Sequence, residues 1–111
     1  MTRLLLLAAF ALAASSCGGR TSISCNNTAA FACSTTSVSA GLVLTSPSCP
    51  SPSVEISSCP TAGIIGTCTV TTAITTPTTG TATQVASVYT GGDATAAHTA
   101  CTSAGGTWTT P

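Results

Sequence analysis

Cysteine thiols are the groups in this chain that can do the most chemistry, and there are seven of them. An odd number leaves at least one thiol without an intramolecular partner. Cys17 is the candidate for that odd thiol, because it directly follows an apolar leader. An even set in an exported chain predicts a disulfide framework. We therefore predict up to three disulfides, in any of fifteen connectivities, among the six cysteines Cys25, Cys33, Cys49, Cys59, Cys68 and Cys101.

The start of the chain has the order of a secretory signal. Arg3 supplies a positive charge, residues 4–14 are apolar, and small residues follow. The apolar run is too short to span a bilayer as a permanent helix, which needs roughly twenty residues. Two cleavage sites compete. Ala-Leu-Ala at residues 11–13 fits ordinary signal peptidase, and Ala-Ser-Ser-Cys ending at Cys17 resembles the lipobox of bacterial lipoproteins. We favour the second, since it explains the position of Cys17 and the even number of later cysteines.

Lipidation at Cys17 would anchor the protein to a membrane. Several acyl chains on one cysteine hold a protein stably, whereas a single chain binds marginally. The next residue is Gly18. In lipoproteins with a similar motif, a residue other than Asp there implies transfer to the outer membrane. We predict a lipoprotein signal peptide over residues 1–16, a flexible tether over 17–24 and a disulfide-stapled domain over 25–111.

Charge is nearly absent after Cys17. Arg20 is the only basic side chain that always carries charge, and Glu55 and Asp93 are the only acidic ones. Nucleic-acid binding requires a basic patch that neutralises phosphates, so we exclude nucleic acid as a partner. Threonine and serine supply the polarity instead. We expect the partners to be the membrane, through the anchor at Cys17, and either a glycan or another envelope protein.

Residues for catalysis or metal binding are few. His98 is the sole histidine, and Asp93 lies on a different side of the same predicted helix, so they do not form a hydrolytic pair. His98 and Cys101 have a spacing that could chelate a metal, but an exported protein with six matched cysteines favours a disulfide for Cys101. We predict no enzymatic activity, no metal and no cofactor.

The second half of the chain shows the clearest secondary structure. Residues 67–74 alternate, with Cys68 and aliphatic residues on one face and threonines on the other, which is typical of a strand with one buried face. A turn at 76–80 and a returning run at 83–90 predict a β-hairpin.

One helix is predicted, over residues 94–104. Asp93 is its N-cap and Gly105 ends it. Cys101 would point toward the core, where a hairpin cysteine such as Cys68 could meet it. Aromatic residues make up only 4% of the chain, so the core is thin and disulfides are needed to stabilise it. We predict a small disulfide-rich, β-rich (α+β) domain of short antiparallel strands with one C-terminal helix, after an N-terminal signal peptide.

The C-terminal half carries a recognisable pattern. It reads Cys59-Pro60-Thr61-Ala62-x-x-x-Gly66-x-Cys68, then a tyrosine-bearing strand, then Ala97-x-x-Ala100-Cys101-x-x-x-Gly105-Gly106-x-Trp108. This resembles the small cysteine-rich lipoproteins and secreted proteins of environmental bacteria. The resemblance implies a bacterial exported origin and scaffold roles for Cys59, Cys68, Cys101 and Trp108. It implies no molecular function.

Two functional hypotheses follow. The first is a non-enzymatic lipoprotein of the bacterial outer membrane, acting as a structural or binding module. The second is a secreted, disulfide-rich inhibitor or toxin-like protein, with the proline-rich loop at residues 46–60 as its contact segment.

Overall fold

The computed structural model describes residues 11–14, 20–45, 47–75 and 79–111. The predicted lipidation residue, Cys17, lies outside these ranges, as does most of the predicted signal peptide.

The described residues form eight strands and one α-helix, with a single turn of 3-10 helix after the second strand. In chain order these are β1 (Ala11–Ala14), β2 (Ser22–Asn27), β3 (Ala32–Val38), β4 (Leu42–Thr45), β5 (Val54–Ile56), β6 (Ile64–Ile74), β7 (Gly80–Tyr89), α1 (Ala94–Ser103) and β8 (Thr107–Thr109). The structure is thus a β-rich domain with one helix near its C-terminus, as the sequence predicts.

Six of the strands form one antiparallel sheet in the order β5-β2-β3-β7-β6-β8. The long strands β6 and β7 pair antiparallel, which confirms the hairpin predicted from the threonine alternation, although residues 76–78 of its predicted turn lie outside the described ranges. β1 and β4 form a separate antiparallel pair. β1 falls within the predicted signal peptide, so removal of residues 1–16 would take away this strand partner of β4.

The start of β2 corrects one prediction. The sequence predicts a flexible tether as far as residue 24, but β2 begins at Ser22. Ile23 is only 2% exposed and packs in a cluster with Leu44 and Cys25. Burial of an aliphatic side chain, together with pairing to β3, provides the stabilisation that orders this segment.

The six-stranded sheet has two unlike faces, because directly opposed residues in antiparallel strands project to the same side. One side, which we call the packed face, carries Ile23, Cys68, Val88 and Trp108. The α-helix covers part of this face through the bond from Cys68 to its own cysteine. β4 covers another part, where Leu44 meets Ile23.

The helix caps follow the sequence prediction. The Asp93 carboxylate accepts a hydrogen bond from the Ala96 backbone N–H at 3.0 Å. Gly105 has a φ of +78°, a conformation that glycine adopts without steric cost, and it ends the helix. The last helical residue is Ser103, one before the predicted end. Ala97 and Cys101 are the buried helix residues, as the predicted face requires.

Candidate functional site

Three disulfides join the six cysteines that follow Cys17. The bonds are Cys25–Cys49, Cys33–Cys59 and Cys68–Cys101, with Cα–Cα distances of 5.5, 5.7 and 5.7 Å. Each bond links a strand of the six-stranded sheet to a segment outside that sheet. The predicted meeting of Cys101 with Cys68 is confirmed, and one connectivity of the fifteen possible is selected.

Trp108 packs against the helix from a short strand, β8, that the sequence does not predict. It lies in β8, directly opposite Cys68 in register. One side of its indole lies against Gly66, where any Cβ would collide with the ring. His98 stacks on it, with ring centroids 5.2 Å apart and an interplanar angle of 9°. Trp108 therefore links α1 to the sheet edge.

The candidate catalytic and metal-binding groups are held in structural contacts. His98 is exposed and stacks on Trp108, Asp93 caps the helix, and Cys101 is bonded to Cys68. Among the described residues, no group of three or more potential ligands could hold a metal ion.

The face of the sheet opposite the packed face is lined with hydroxyl groups, and we call it the hydroxyl face. Its register pairs place Thr67 opposite Thr109, Thr69 opposite Thr107 and Thr71 opposite Thr83. On the other half of the sheet, Ser37 and Ser22 continue the same surface. Its hydroxyl residues are Ser22, Ser24, Thr35, Ser37, Thr67, Thr69, Thr71, Thr81, Thr83, Ser87, Thr107 and Thr109. The strand residues that share this face carry no charged side chain.

A cleft of about 370 Å³ lies at one end of the sheet, where β5 separates from β2. β5 pairs only with Ser24, Cys25 and Asn26, so the first two residues of β2 extend past it. The cleft is lined by Arg20, Ser22, Ile23, Ser24, Glu55, Ile56 and Ser57.

An ion pair joins two sides of this cleft. The Arg20 guanidinium donates a hydrogen bond to the Glu55 carboxylate, and both side chains are 45% exposed. The hydrogen bond lowers the pKa of Glu55 and raises the pKa of Arg20. The backbone carbonyl of Arg20 also accepts a hydrogen bond from the Leu44 N–H at 2.6 Å, which fixes the residue beside β4.

Tyr89 fastens the segment after β5 to the sheet. Its hydroxyl donates to the carbonyl of Pro60 at 2.7 Å, next to the disulfide of Cys59. Burial raises the pKa of the Tyr89 phenol, and a hydrogen bond with the Ser87 side chain partly opposes that shift.

The sequence does not predict the Arg20–Glu55 pair. The two residues are 35 positions apart, and no local pattern links them. The one signal in the sequence is the scarcity of charge, since Arg20 has only Glu55 and Asp93 after Cys17 as possible acidic partners.

The fold and these contacts define a small antiparallel β domain stapled by three disulfides. Comparison with models of protein families, with curated proteins and with solved structures finds no match to this chain. With ten residues, α1 is too short to cross a membrane, and the described ranges contain no longer helix.

Proposed function

We propose that this chain is a non-enzymatic lipoprotein of the bacterial envelope, anchored to the outer membrane by acyl chains on Cys17, with the disulfide-stapled domain as a binding module. The pairing of the cysteines carries the proposal. All six later cysteines are used in bonds with one another, which leaves Cys17 as the one thiol without a disulfide partner in this set. Disulfides of this kind form and persist in oxidising, exported compartments.

The surface chemistry supports a binding role. Apart from Ser24 and Ser87, which are buried, the residues of the hydroxyl face offer donors and acceptors without charge, which suits a glycan or a neutral protein surface. His98 and Asp93 both serve structural contacts, which supports the absence of catalysis.

Intact mass spectrometry of the native protein tests the anchor. We expect the mass of a chain that begins at Cys17, carries acyl groups and holds three disulfides, and a gain of six hydrogens on reduction. A Cys17→Ser variant is the matched control and should lack the acyl mass. A chain that begins at Ala14 with an unmodified Cys17 would contradict the proposal.

A secreted inhibitor is the second candidate, favoured by one observation. The segment between Cys49 and Cys59 is tied at both ends to neighbouring strands, and Val54 within it is 57% exposed on an edge strand. A rigid loop of this kind could occupy the groove of a protease. Inhibition of a protease that is lost in Val54→Asp, but not in the distant Thr95→Asp control, would support it. Failure against a broad panel would exclude a protease target.

A further inference from the structure

Two of the three charged side chains that follow Cys17 meet at one place. Of the three that follow Cys17, Arg20 and Glu55 meet at the cleft, while Asp93 caps the helix. Exposed ion pairs typically contribute only about 0–1 kcal/mol to stability. Sharing this ion pair with a ligand would therefore cost the fold little stability.

The cleft combines three kinds of surface. Ile56, which is half-buried, provides apolar contact, whereas Ile23 is packed in the core beneath the cleft, and the serines beside them provide hydroxyls that both donate and accept. Ser22 and Ser57 are exposed, whereas the Ser24 hydroxyl is bonded to the Thr35 hydroxyl at 2.8 Å. A cleft of about 370 Å³ is in the range of small-molecule sites.

The two opposite charges at the cleft favour an uncharged ligand. An anion drawn to the Arg20 guanidinium would meet the Glu55 carboxylate, and a cation drawn to Glu55 would meet Arg20. A pair of neighbouring hydroxyls avoids this conflict, because one can donate to the carboxylate while the other accepts from the guanidinium. The guanidinium has five N–H donors, so its bond to Glu55 leaves donors for a ligand.

We propose that the cleft bounded by Arg20 and Glu55 is a binding site for a neutral saccharide unit. Vicinal hydroxyls of the sugar bind the ion pair, Ser22 and Ser57 bind further hydroxyls, and Ile56 contacts a C–H face of the ring. This rests on the proposed function, since it names the ligand class and site of the binding module. Arg20 is three residues from Cys17, so the chain from the anchor to Arg20 spans at most about 10 Å. The ligand is therefore a saccharide close to the membrane surface.

Three related sugars of different charge test the ligand class. A leaderless Cys17→Ser protein with its disulfides intact would be titrated with N-acetylglucosamine, glucosamine and glucose 6-phosphate, and its backbone amide NMR signals followed. We expect the neutral sugar to shift the amides of Ser22, Glu55 and Ser57, and the charged sugars to bind at least tenfold more weakly. No shift at these amides, or tighter binding of the phosphate, would overturn the proposal.

Charge-removing variants test the residues. Arg20→Gln and Glu55→Gln should each weaken binding of the neutral sugar at least tenfold. Asp93→Asn is the matched control, because it removes a charge far along the chain and asparagine also caps helices well. Equal affinity in the wild type and both glutamine variants would overturn the site. The dispersed amide spectrum reports folding of each variant, and Glu55→Gln serves if Arg20→Gln unfolds.

The two proposals can fail separately. Acylation of Cys17 is measured by mass on the native protein, whereas sugar binding is measured on the soluble variant. A lipidated protein without sugar binding would leave the anchor proposal intact and reject the cleft.

Discussion

Individual polar side chains in this domain hold backbone segments in place. The Tyr89 hydroxyl donates to the backbone of Pro60, 29 residues earlier in the chain, and the Asp93 carboxylate accepts from the first turn of α1. In a thin core, such bonds contribute a larger share of the stability, because buried aliphatic side chains such as Ile23 and Leu44 are few in the described part of the chain.

Tyr89→Phe should lower the free energy of unfolding by about 1 kcal/mol near neutral pH, since it removes the hydrogen bond to Pro60. It should also change the response to alkali. Burial raises the pKa of this phenol in the folded state, so its contribution is present below the unfolded-state value of about 10 and is lost as the pH rises through the folded-state value. Urea unfolding of both proteins between neutral and alkaline pH measures this. Parallel alkaline loss of stability in the two proteins would contradict it.

At the scale of elements, α1 depends on one covalent bond. It has ten residues, which is marginal for an isolated helix, and only Ala97 and Cys101 are buried. The bond to Cys68 holds it on the packed face, and Gly106 allows the close approach, because a Cβ there would lie 2.8 Å from the Cys68 sulfur. The disulfide to β6 therefore fixes the position of α1, and the helix's own sequence does not.

We expect a Cys68→Ala/Cys101→Ala variant to lose the helix and the stacking of His98 on Trp108. The bond closes a separation of 33 residues, for which the chain-entropy model gives about 3–4 kcal/mol. Helical circular dichroism and tryptophan emission measure the loss. Cys25→Ala/Cys49→Ala is the control, since its bond ties a loop to β2 and should leave the helix signal in place. Retention of the native tryptophan emission by the first variant would contradict the expectation.

The whole molecule is stabilised largely by its disulfides. Small domains have limited capacity to bury apolar surface, and among the described residues the largest fully buried side chains are those of Ile23, Leu42, Leu44, Cys33 and Cys101. Three bonds at about 2–4 kcal/mol each are comparable with the whole free energy of unfolding of a typical domain, about 5–15 kcal/mol.

Reduction should therefore unfold the domain at room temperature. Treatment with a phosphine reductant, followed by circular dichroism and size-exclusion chromatography, should show loss of β structure and an expanded chain. Removal of the reductant under oxidising conditions should restore the three native bonds. A reduced protein that keeps its compact size and sheet signal would show that the apolar core suffices.

The sequence by itself determined the features that depend on neighbouring residues. The even count of cysteines after Cys17, the alternation around Cys68 and the cap at Asp93 were all predictable, because parity, a period of two and a helix start are local patterns. The lipidation of Cys17 stays a prediction.

Only the tertiary structure decided which distant residues meet. Disulfide bonding requires Cα atoms about 4–7 Å apart, and here the strand order brings together cysteines separated by 24, 26 and 33 positions. The same strand order pairs Trp108 with β6 as part of β8, and it includes Ser22 at the start of β2. It also brings Arg20 to Glu55. These contacts depend on non-local strand pairing, and local propensity carries no information about which strands become neighbours.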